Sequence, residues 1–191
     1  MFLLGSKFPK IFFIFLKSIY EAMVVGGLLR WYPEASQLLR HYLGWQAQKP
    51  TLRINSVIYE DSAVVKREMA RQKRMAAAAM RNGGTESRQQ SGKLLADYPR
   101  LKYADNRFIL KSTTRKVGKN QYETTWRVDN LYEFEGFRGT SATWKTYSKW
   151  SEFPVLGQKI TIYDGLSKFL VDLHMAKEFK YYAEWKETWN G

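Results

Sequence analysis

The chain has 191 residues, of which 45% are hydrophobic, so it can bury one good core, or one domain plus a smaller appendage, and wholesale disorder is excluded. Its 31 Lys and Arg against 18 Asp and Glu give a net charge of +13, which predicts an anionic partner: nucleic acid, anionic lipid or an acidic protein. Cysteine is absent, which excludes disulfides, iron–sulfur clusters, thiolate zinc sites and a cysteine nucleophile.

The first 45 residues are predicted to form an apolar helical hairpin. Residues 11–16 and 22–29 are unbroken apolar runs, with Lys17 and Glu21 between them. The whole window has about the length of a membrane span, but each central charge costs roughly 2.5–3.5 kcal/mol on insertion scales. A core or docking helix is therefore favoured over a membrane-surface helix, and both are favoured over a true span. A second helix is expected to begin at Pro33.

Residues 51–82 are predicted to form a short strand and a basic helix. The strand covers 51–59, and the helix runs from Asp61 or Ser62, either of which is a fair N-cap, to about Asn82. Residues 83–98 begin with a polar, glycine-containing stretch that has no apolar period, so a linker or mobile loop is expected there.

The pattern changes to period 2 in the last predicted domain, 99–191. Residues 107–114 and 121–128 suggest a hairpin, and 158–163 suggest another strand. Asp164 is expected to cap a late helix, and the alternation from Phe179 onward predicts a terminal strand. The predicted fold class is α+β, with N-terminal helices followed by a mostly antiparallel β-sheet with one late helix.

Aromatic residues are abundant in this last domain, and most are expected to fill the inner face of the sheet, because aromatics are favoured in strands and bury large areas. Tyr182 falls on the other face of the terminal strand, so it is an informative exception.

The basic helix is the clearest electrostatic feature of the sequence. A row of cations there could lie against phosphates, although a solvated helix face explains the same residues. The candidate phosphate-binding residues are Lys66, Arg67, Arg71, Lys73, Arg74 and Arg81.

Carboxylates and an arginine also cluster within residues 129–138. They could meet in a cleft, where a carboxylate acts as a base or binds a divalent metal and the arginine clamps a phosphoryl group. Cross-strand ion pairing is the simpler interpretation. A multi-histidine metal site is excluded, since His41 and His174 are the only histidines, whereas a carboxylate metal site stays open and the cofactor is unknown.

The run Asn130–Arg138 resembles a degraded form of the Asp-x-Tyr-Asp…His-Arg signature of colicin M-like bacteriocin domains. Two further runs, 39–44 and 173–179, are similar to C-terminal modules of bacterial polymorphic and type VI effector toxins. The colicin M resemblance implies a half-barrel enzyme that cleaves lipid II in the periplasm with an essential Asp. Glu133 stands where the family has its second Asp and Phe137 where it has His. The catalytic residues it implies are Asp129, Tyr132, Glu133 and Arg138, with His174 supplying any imidazole.

Three functional hypotheses follow. The first is a secreted antibacterial effector or bacteriocin-like toxin that acts at the envelope of a target cell, on an anionic membrane or a lipid-linked phosphate, with a secretion or immunity protein as partner. The second is a non-enzymatic nucleic-acid-binding protein, which would allow a cytoplasmic location. The third is an adaptor or immunity-type interaction module.

Overall fold

The protein folds into two compact units. The first comprises Met1–Pro50 and Tyr132–Phe179, and the second comprises Thr51–Leu131 and Lys180–Gly191. The predicted sheet domain 99–191 is thus divided between them. The computed structural model describes residues 14, 17–19, 21–22, 32–44, 51–81, 83–132, 149–155, 158–163, 170–171 and 174–191.

Helices and strands are both well represented, and the predicted α+β class is confirmed. In chain order the elements are α1 (Pro33–Tyr42), β1 (Thr51–Arg53), α2 (Val57–Glu60), α3 (Ala63–Met80), β2 (Glu86–Gln90), β3 (Leu94–Leu95), α4 (Pro99–Ala104), β4 (Arg107–Phe108), β5 (Leu110–Lys116), β6 (Gln121–Tyr132), β7 (Lys149–Val155), β8 (Gln158–Tyr163) and β9 (Phe179–Asn190).

Helix α1 of the first unit begins and ends where its sequence predicts. Pro33 occupies the first turn, where its missing N–H is tolerated, and Gly44 follows the helix with a φ of +76°. Leu38, Leu39 and Tyr42 are fully buried, as their helical spacing requires. The first unit also contains the antiparallel β7–β8 hairpin, so the strand predicted at 158–163 is confirmed.

Part of the N-terminal hairpin and most of the predicted late helix lie outside the described residues. Residues 17–19 and 21–22 are helical, and Lys17 pairs with Glu21 one turn later at 3.9 Å. Of the late helix, only residues 170–171 are described, and both are helical. None of the helices in the described part of the chain combines the length and the apolar character that crossing a membrane requires.

The second unit is built on a five-stranded mixed sheet in the order β1-β9-β6-β5-β2. Strands β5 and β6 form the predicted hairpin, β2 pairs antiparallel with β5, and β1 pairs parallel with β9. The alternation along the strands sends Trp126, Trp185 and their neighbours to one face, where Trp126 is fully buried and stacks on Trp185. This inner face carries the core of the unit, and the other face is polar.

Helix α3 covers the inner face and begins at a true N-cap. The hydroxyl of Ser62 accepts a hydrogen bond from the amide of Val65 at 3.2 Å, which satisfies one of the free donors of the first turn. The predicted helix is therefore confirmed, and Ser62 rather than Asp61 is its cap.

A buried glutamine joins α3 to the sheet. The side-chain amide of Gln72 donates to the Glu68 carboxylate at 2.8 Å and to the Leu110 carbonyl at 3.2 Å, and its oxygen accepts a hydrogen bond from Ser112. Gln72 is only 1% exposed, so these partners replace water.

Replacing Gln72 by Met is expected to lower the free energy of unfolding of the second unit by roughly 1–3 kcal/mol, because the buried Ser112 hydroxyl loses its acceptor. The loss is measured by denaturant unfolding, with the exposed Gln121→Met as the matched control. Equal stability of the two variants would contradict a structural role for the Gln72 hydrogen bonds.

One sequence prediction for the second unit is wrong. The polar stretch within 83–98, predicted to be a linker or mobile loop, contains the edge strand β2, whose backbone pairs with β5 over its full length. Backbone pairing with another strand decides the structure there, and the local sequence pattern does not. The short strand predicted over 51–59 is confirmed as β1, but it is only three residues long, and the chain then turns into α2.

Candidate nucleic-acid interface

Helix α3 has two opposite faces. Its buried residues Val65, Gln72, Ala76 and Met80 lie against the sheet. Arginines at positions 67, 74 and 81 are spaced by seven residues, or nearly two full turns, so they form one row along the axis, half a turn away from the buried residues. All three are exposed. We call the row Arg67, Arg74 and Arg81 the arginine face of α3.

The cations of this face have no acidic partner within the described part of the chain. Lys66, which is also exposed, flanks the row and shares this property. Two other predicted phosphate-binding residues do not belong to the face. Arg71 is 2.6 Å from the Glu68 carboxylate and Lys73 is 2.5 Å from Glu187. The predicted band of six exposed cations is therefore corrected to four: Lys66, Arg67, Arg74 and Arg81.

Alanines occupy the space between the arginines. Ala63, Ala70 and Ala78 are exposed and lie on the same side of the helix as the row. Because these alanine side chains are short, a ligand can approach the helix backbone closely between two successive arginines. The longer arginine side chains can then contact the ligand from either end along the helix axis. Gly84 packs at the far end of α3, where an added Cβ would lie 3.2 Å from the Ala79 carbonyl oxygen.

The excess charge of the protein is concentrated in the second unit. Its two segments contain 19 Lys and Arg and 10 Asp and Glu, a net charge of +9 out of the total of +13. The field around this unit therefore attracts polyanions over a distance of about 8–10 Å at physiological salt.

On the outer face of the sheet, by contrast, many cations already have carboxylate partners. Asp129 accepts from Arg127 at 2.7 Å and lies 3.3 Å from the ammonium of Lys111. The hydrogen bond from Arg127 is the main reason that the pKa of Asp129 is lowered. Glu86 bridges Arg88 and Arg115 in the same way, at 2.8 and 2.9 Å. Cross-strand pairing, the simpler of the two interpretations, thus describes Asp129.

The described members of the predicted catalytic set do not converge. Asp129 is exposed on the outer face of β6, whereas Tyr132 is buried on the opposite side of the strand. The two positions are three apart, and successive side chains of a strand point to alternate faces. Tyr132 stacks on Phe179 and contacts the ring of Tyr42 edge-on, as a core residue does. His174 is exposed and has a φ of +58°. Glu133 and Arg138 lie outside the described residues.

A buried carboxyl that the sequence did not mark lies in the second unit. Asp105 is 4% exposed and accepts hydrogen bonds from the Tyr59 hydroxyl at 2.7 Å and the Asn130 amide at 2.9 Å. Burial raises the pKa of Asp105 to about 7, against the opposing effect of these hydrogen bonds. Burial also raises the pKa of Tyr59. In the sequence Asp105 is marked only by its position after a short helix, and this position does not indicate burial. No local pattern therefore identifies it.

Within the described residues, no group of three or more histidine or carboxylate side chains is arranged to hold a metal ion. Comparisons with protein-family models, with curated proteins and with solved structures each found no match. The arginine face of α3 is therefore interpreted from its own geometry and charge.

Proposed function

We propose that this protein binds nucleic acid without catalysis, and that the arginine face of α3 is the contact surface. The observation that carries the proposal is a row of three exposed arginines opposite the buried side of a well-anchored helix, without acidic partners in the described part of the chain. A cation that is already paired with a carboxylate gains little from binding a phosphate. These arginines have no carboxylate partner to give up among the described residues.

Nucleic acid is favoured over an anionic membrane because α3 has no apolar side to offer. A helix that binds in a membrane interface buries an apolar face among the lipids. The apolar residues Val65, Ala76 and Met80 of α3 are already buried against the sheet. The side chains that α3 exposes to solvent are mostly basic or alanine, and Met75, at 42% exposure, is the one large apolar side chain among them, so the helix suits a charged polymer better than a lipid surface.

The dimensions of the face suit the major groove of a duplex. Eighteen residues of α-helix extend about 27 Å, and successive arginines are separated by about 10 Å along the axis. The major groove is about 12 Å wide and admits an α-helix. Alanines between the arginines allow the helix to lie deep in the groove, with the guanidinium groups directed to the phosphates on its two sides.

A salt titration tests the proposal. Binding of the full chain to a short labelled DNA duplex is expected to weaken steeply with salt, with a slope of log K against log[salt] of about −2.7 or steeper, since three phosphate contacts each contribute about −0.9. The measurement is fluorescence anisotropy, with anionic lipid vesicles as a parallel arm. Weak duplex binding at the lowest salt, or tighter binding to the vesicles, would contradict it.

The envelope-toxin hypothesis stays a prediction. It requires residues 129–138 to form a site, and of the five catalytic residues that it needs, Asp129 is engaged in ion pairs and Tyr132 in aromatic packing. The geometry of the described residues therefore supports nucleic-acid binding better than an envelope toxin. No specific observation favours the adaptor hypothesis.

A further inference from the structure

Strand β2 forms one edge of the five-stranded sheet, and half of its backbone groups point away from the sheet. The amide of Ser91, just after β2, donates to the Leu110 carbonyl of β5 at 2.9 Å. Since hydrogen-bonded pairs alternate in an antiparallel ladder, the odd-numbered residues of β2 bond to β5. The N–H and C=O groups of Glu86, Arg88 and Gln90 therefore point outward, and they have no hydrogen-bond partner among the described residues.

This edge lacks the features by which proteins usually prevent their sheets from pairing edge to edge. Protected edges carry lysine, proline, a bulge or a charged side chain that points inward. Strand β2 has no lysine or proline, its register with β5 is continuous, and the residues that it directs inward are Ser87 and Gln89. In a chain with 31 Lys and Arg, this strand carries one cation and one carboxylate, so it is neutral. The edge is therefore suited to pairing with another strand.

The sequence of β2 is complementary to itself in one antiparallel register. When Ser87 lies opposite Ser87 of a second copy, each Glu86 lies opposite an Arg88. The neighbouring registers place Arg88 opposite Arg88 or Glu86 opposite Glu86, and like charges directly opposite each other destabilise a sheet. Glu86 already accepts from Arg88 of its own chain at 2.8 Å, and that arginine side chain is 77% exposed, so two copies can exchange these partners without losing an ion pair. The charges thus select the register, and they do not supply the affinity.

The one large apolar side chain that α3 exposes lies above this edge. Lys73 pairs with Glu187 on β9, so its side of the helix faces β9. Met75 is two residues further on, about 200° around the helix axis, and therefore lies on the side that faces β2. Met75 is 42% exposed, and Ala79, one turn later, is exposed as well. An occupant of the edge that also covers Met75 gains apolar contact in addition to backbone hydrogen bonds.

A second copy of the chain covers both features at once. A two-fold axis perpendicular to the sheet relates two antiparallel β2 strands, so both α3 helices lie on the same side of the extended sheet. Because α3 packs on β2 and β5, the two helices are separated by about two strand spacings, or about 10 Å. This is the usual distance between the axes of packed helices. A single extended peptide on the edge would leave Met75 uncovered.

We infer that the protein forms a symmetric dimer in which β2 of one copy pairs antiparallel with β2 of the other. The two five-stranded sheets become one continuous sheet, and the sides of α3 that carry Met75 and Ala79 pack together. The arginine face of α3 is half a turn away from the buried side of the helix, so it stays exposed in the dimer. The inference therefore goes beyond the proposed function and does not rest on it.

Sedimentation velocity of the full chain over a range of concentrations tests the inference, and a monomer–dimer equilibrium is expected. Arg88→Pro removes an outward N–H and leaves the hydrogen bonds to β5 intact, so it is expected to weaken the dimer by about tenfold or more. Arg88→Gln keeps the N–H and is the matched control, which is expected to retain the dimer. A chain that stays monomeric up to about 100 μM would overturn the inference, as would equal dimerisation of Arg88→Pro and Arg88→Gln.

Disulfide cross-linking tests the register. Because the chain has no cysteine, a single substituted cysteine can form only an intermolecular disulfide. In the inferred register the two Ser87 residues form a non-hydrogen-bonded pair with Cα atoms about 4.5 Å apart, within the range that a disulfide spans. Ser87→Cys is therefore expected to give a covalent dimer on mild oxidation with diamide. Gln89→Cys, on the same face but about 14 Å from its copy, is the control and is expected to stay monomeric on a reducing-agent-free gel. Equal cross-linking of the two variants, or none by Ser87→Cys, would overturn the inference.

A helix variant provides a test that does not depend on β2 tolerating proline. Met75→Lys places a charge where the two helices meet and is expected to weaken the dimer by about tenfold or more, whereas Val117→Lys, at an exposed apolar position of the β5–β6 turn, leaves it unchanged. Unchanged dimerisation in both Arg88→Pro and Met75→Lys would also overturn the inference. Substitution of the arginine face of α3 by glutamine is expected to leave the dimer intact, so failure of one proposal is distinguishable from failure of the other.

Discussion

Replacing Asp105 by Asn is expected to abolish most of the pH dependence of stability that we expect for the wild-type second unit between about pH 5 and about pH 8.5. In the wild type, raising the pH across this interval is expected to lower the free energy of unfolding by about 3 kcal/mol. The cause is that folding raises the pKa of Asp105 to about 7, whereas an Asp in the unfolded chain has a pKa near 3.9.

The sign follows from which state holds the proton. Below about pH 4 the carboxyl is protonated in both states, and the native state keeps the full advantage of burying a neutral group. Between about pH 4 and about pH 7 the unfolded chain ionises this carboxyl while the native state keeps it protonated, so the stability advantage falls steadily. It is gone once the pH has risen through the native pKa of about 7. Asp129 and Glu68 act in the opposite direction, since their lowered pKa values contribute stability that is lost only at more acidic pH.

Amide hydrogen exchange of β5 and β6 measures this effect within the second unit. Asn at position 105 can still accept the hydrogen bond from Tyr59, so the variant is expected to fold and to show protection that varies little with pH after correction for intrinsic exchange. The exposed Asp61→Asn is the matched control and is expected to keep the wild-type profile. A similar pH profile in wild type and Asp105→Asn would contradict the assignment.

Converting the arginine face of α3 to glutamine, in the triple variant Arg67→Gln, Arg74→Gln and Arg81→Gln, is expected to weaken duplex binding by roughly 10²–10³-fold at low salt. Each lost phosphate contact removes about 0.9 from the slope of log K against log[salt], so the slope becomes less steep by about 2.7. Glutamine has nearly the helix propensity of arginine, and these side chains face away from the core, so the fold should be retained.

A charge-matched triple variant distinguishes binding at a specific surface from a general electrostatic attraction by the net charge. Lys93→Gln, Lys116→Gln and Lys119→Gln remove the same number of exposed cations from the second unit but lie outside α3. This control is expected to keep most of the affinity. If both triple variants lose affinity equally, net charge alone drives binding and the arginine face of α3 is not the site.

The sequence predicts those parts of the fold that depend on local patterns. Ser62, one of the two N-caps that the sequence offered, the basic helix that follows it and the alternation of β9 are all readable from the chain, and each is confirmed in the structure. Helix propensity and side-chain periodicity act within a few residues, so one sequence is sufficient for them.

The parts that the sequence did not predict depend on distant pairings. Strand β2 has no apolar alternation because it lies at an edge of the sheet, and only Ser87 along it is buried. Thr113 lies opposite Thr125 only because of the register of the β5–β6 hairpin. The burial of Asp105 depends on Tyr59 and Asn130, which belong to different elements. No periodicity within a short window encodes such contacts.

The placement of β9 has a consequence for how the second unit is made in a cell. β9 lies between β1 and β6 in the sheet, yet a ribosome synthesises it only after residues 132–179, which belong to the first unit. Until then β1 has no partner, and the exposed edge of β6 resembles a site for pairing with another chain. Assembly of this sheet must therefore wait for late translation, and until β9 is added the open edges of β1 and β6 favour aggregation of nascent chains.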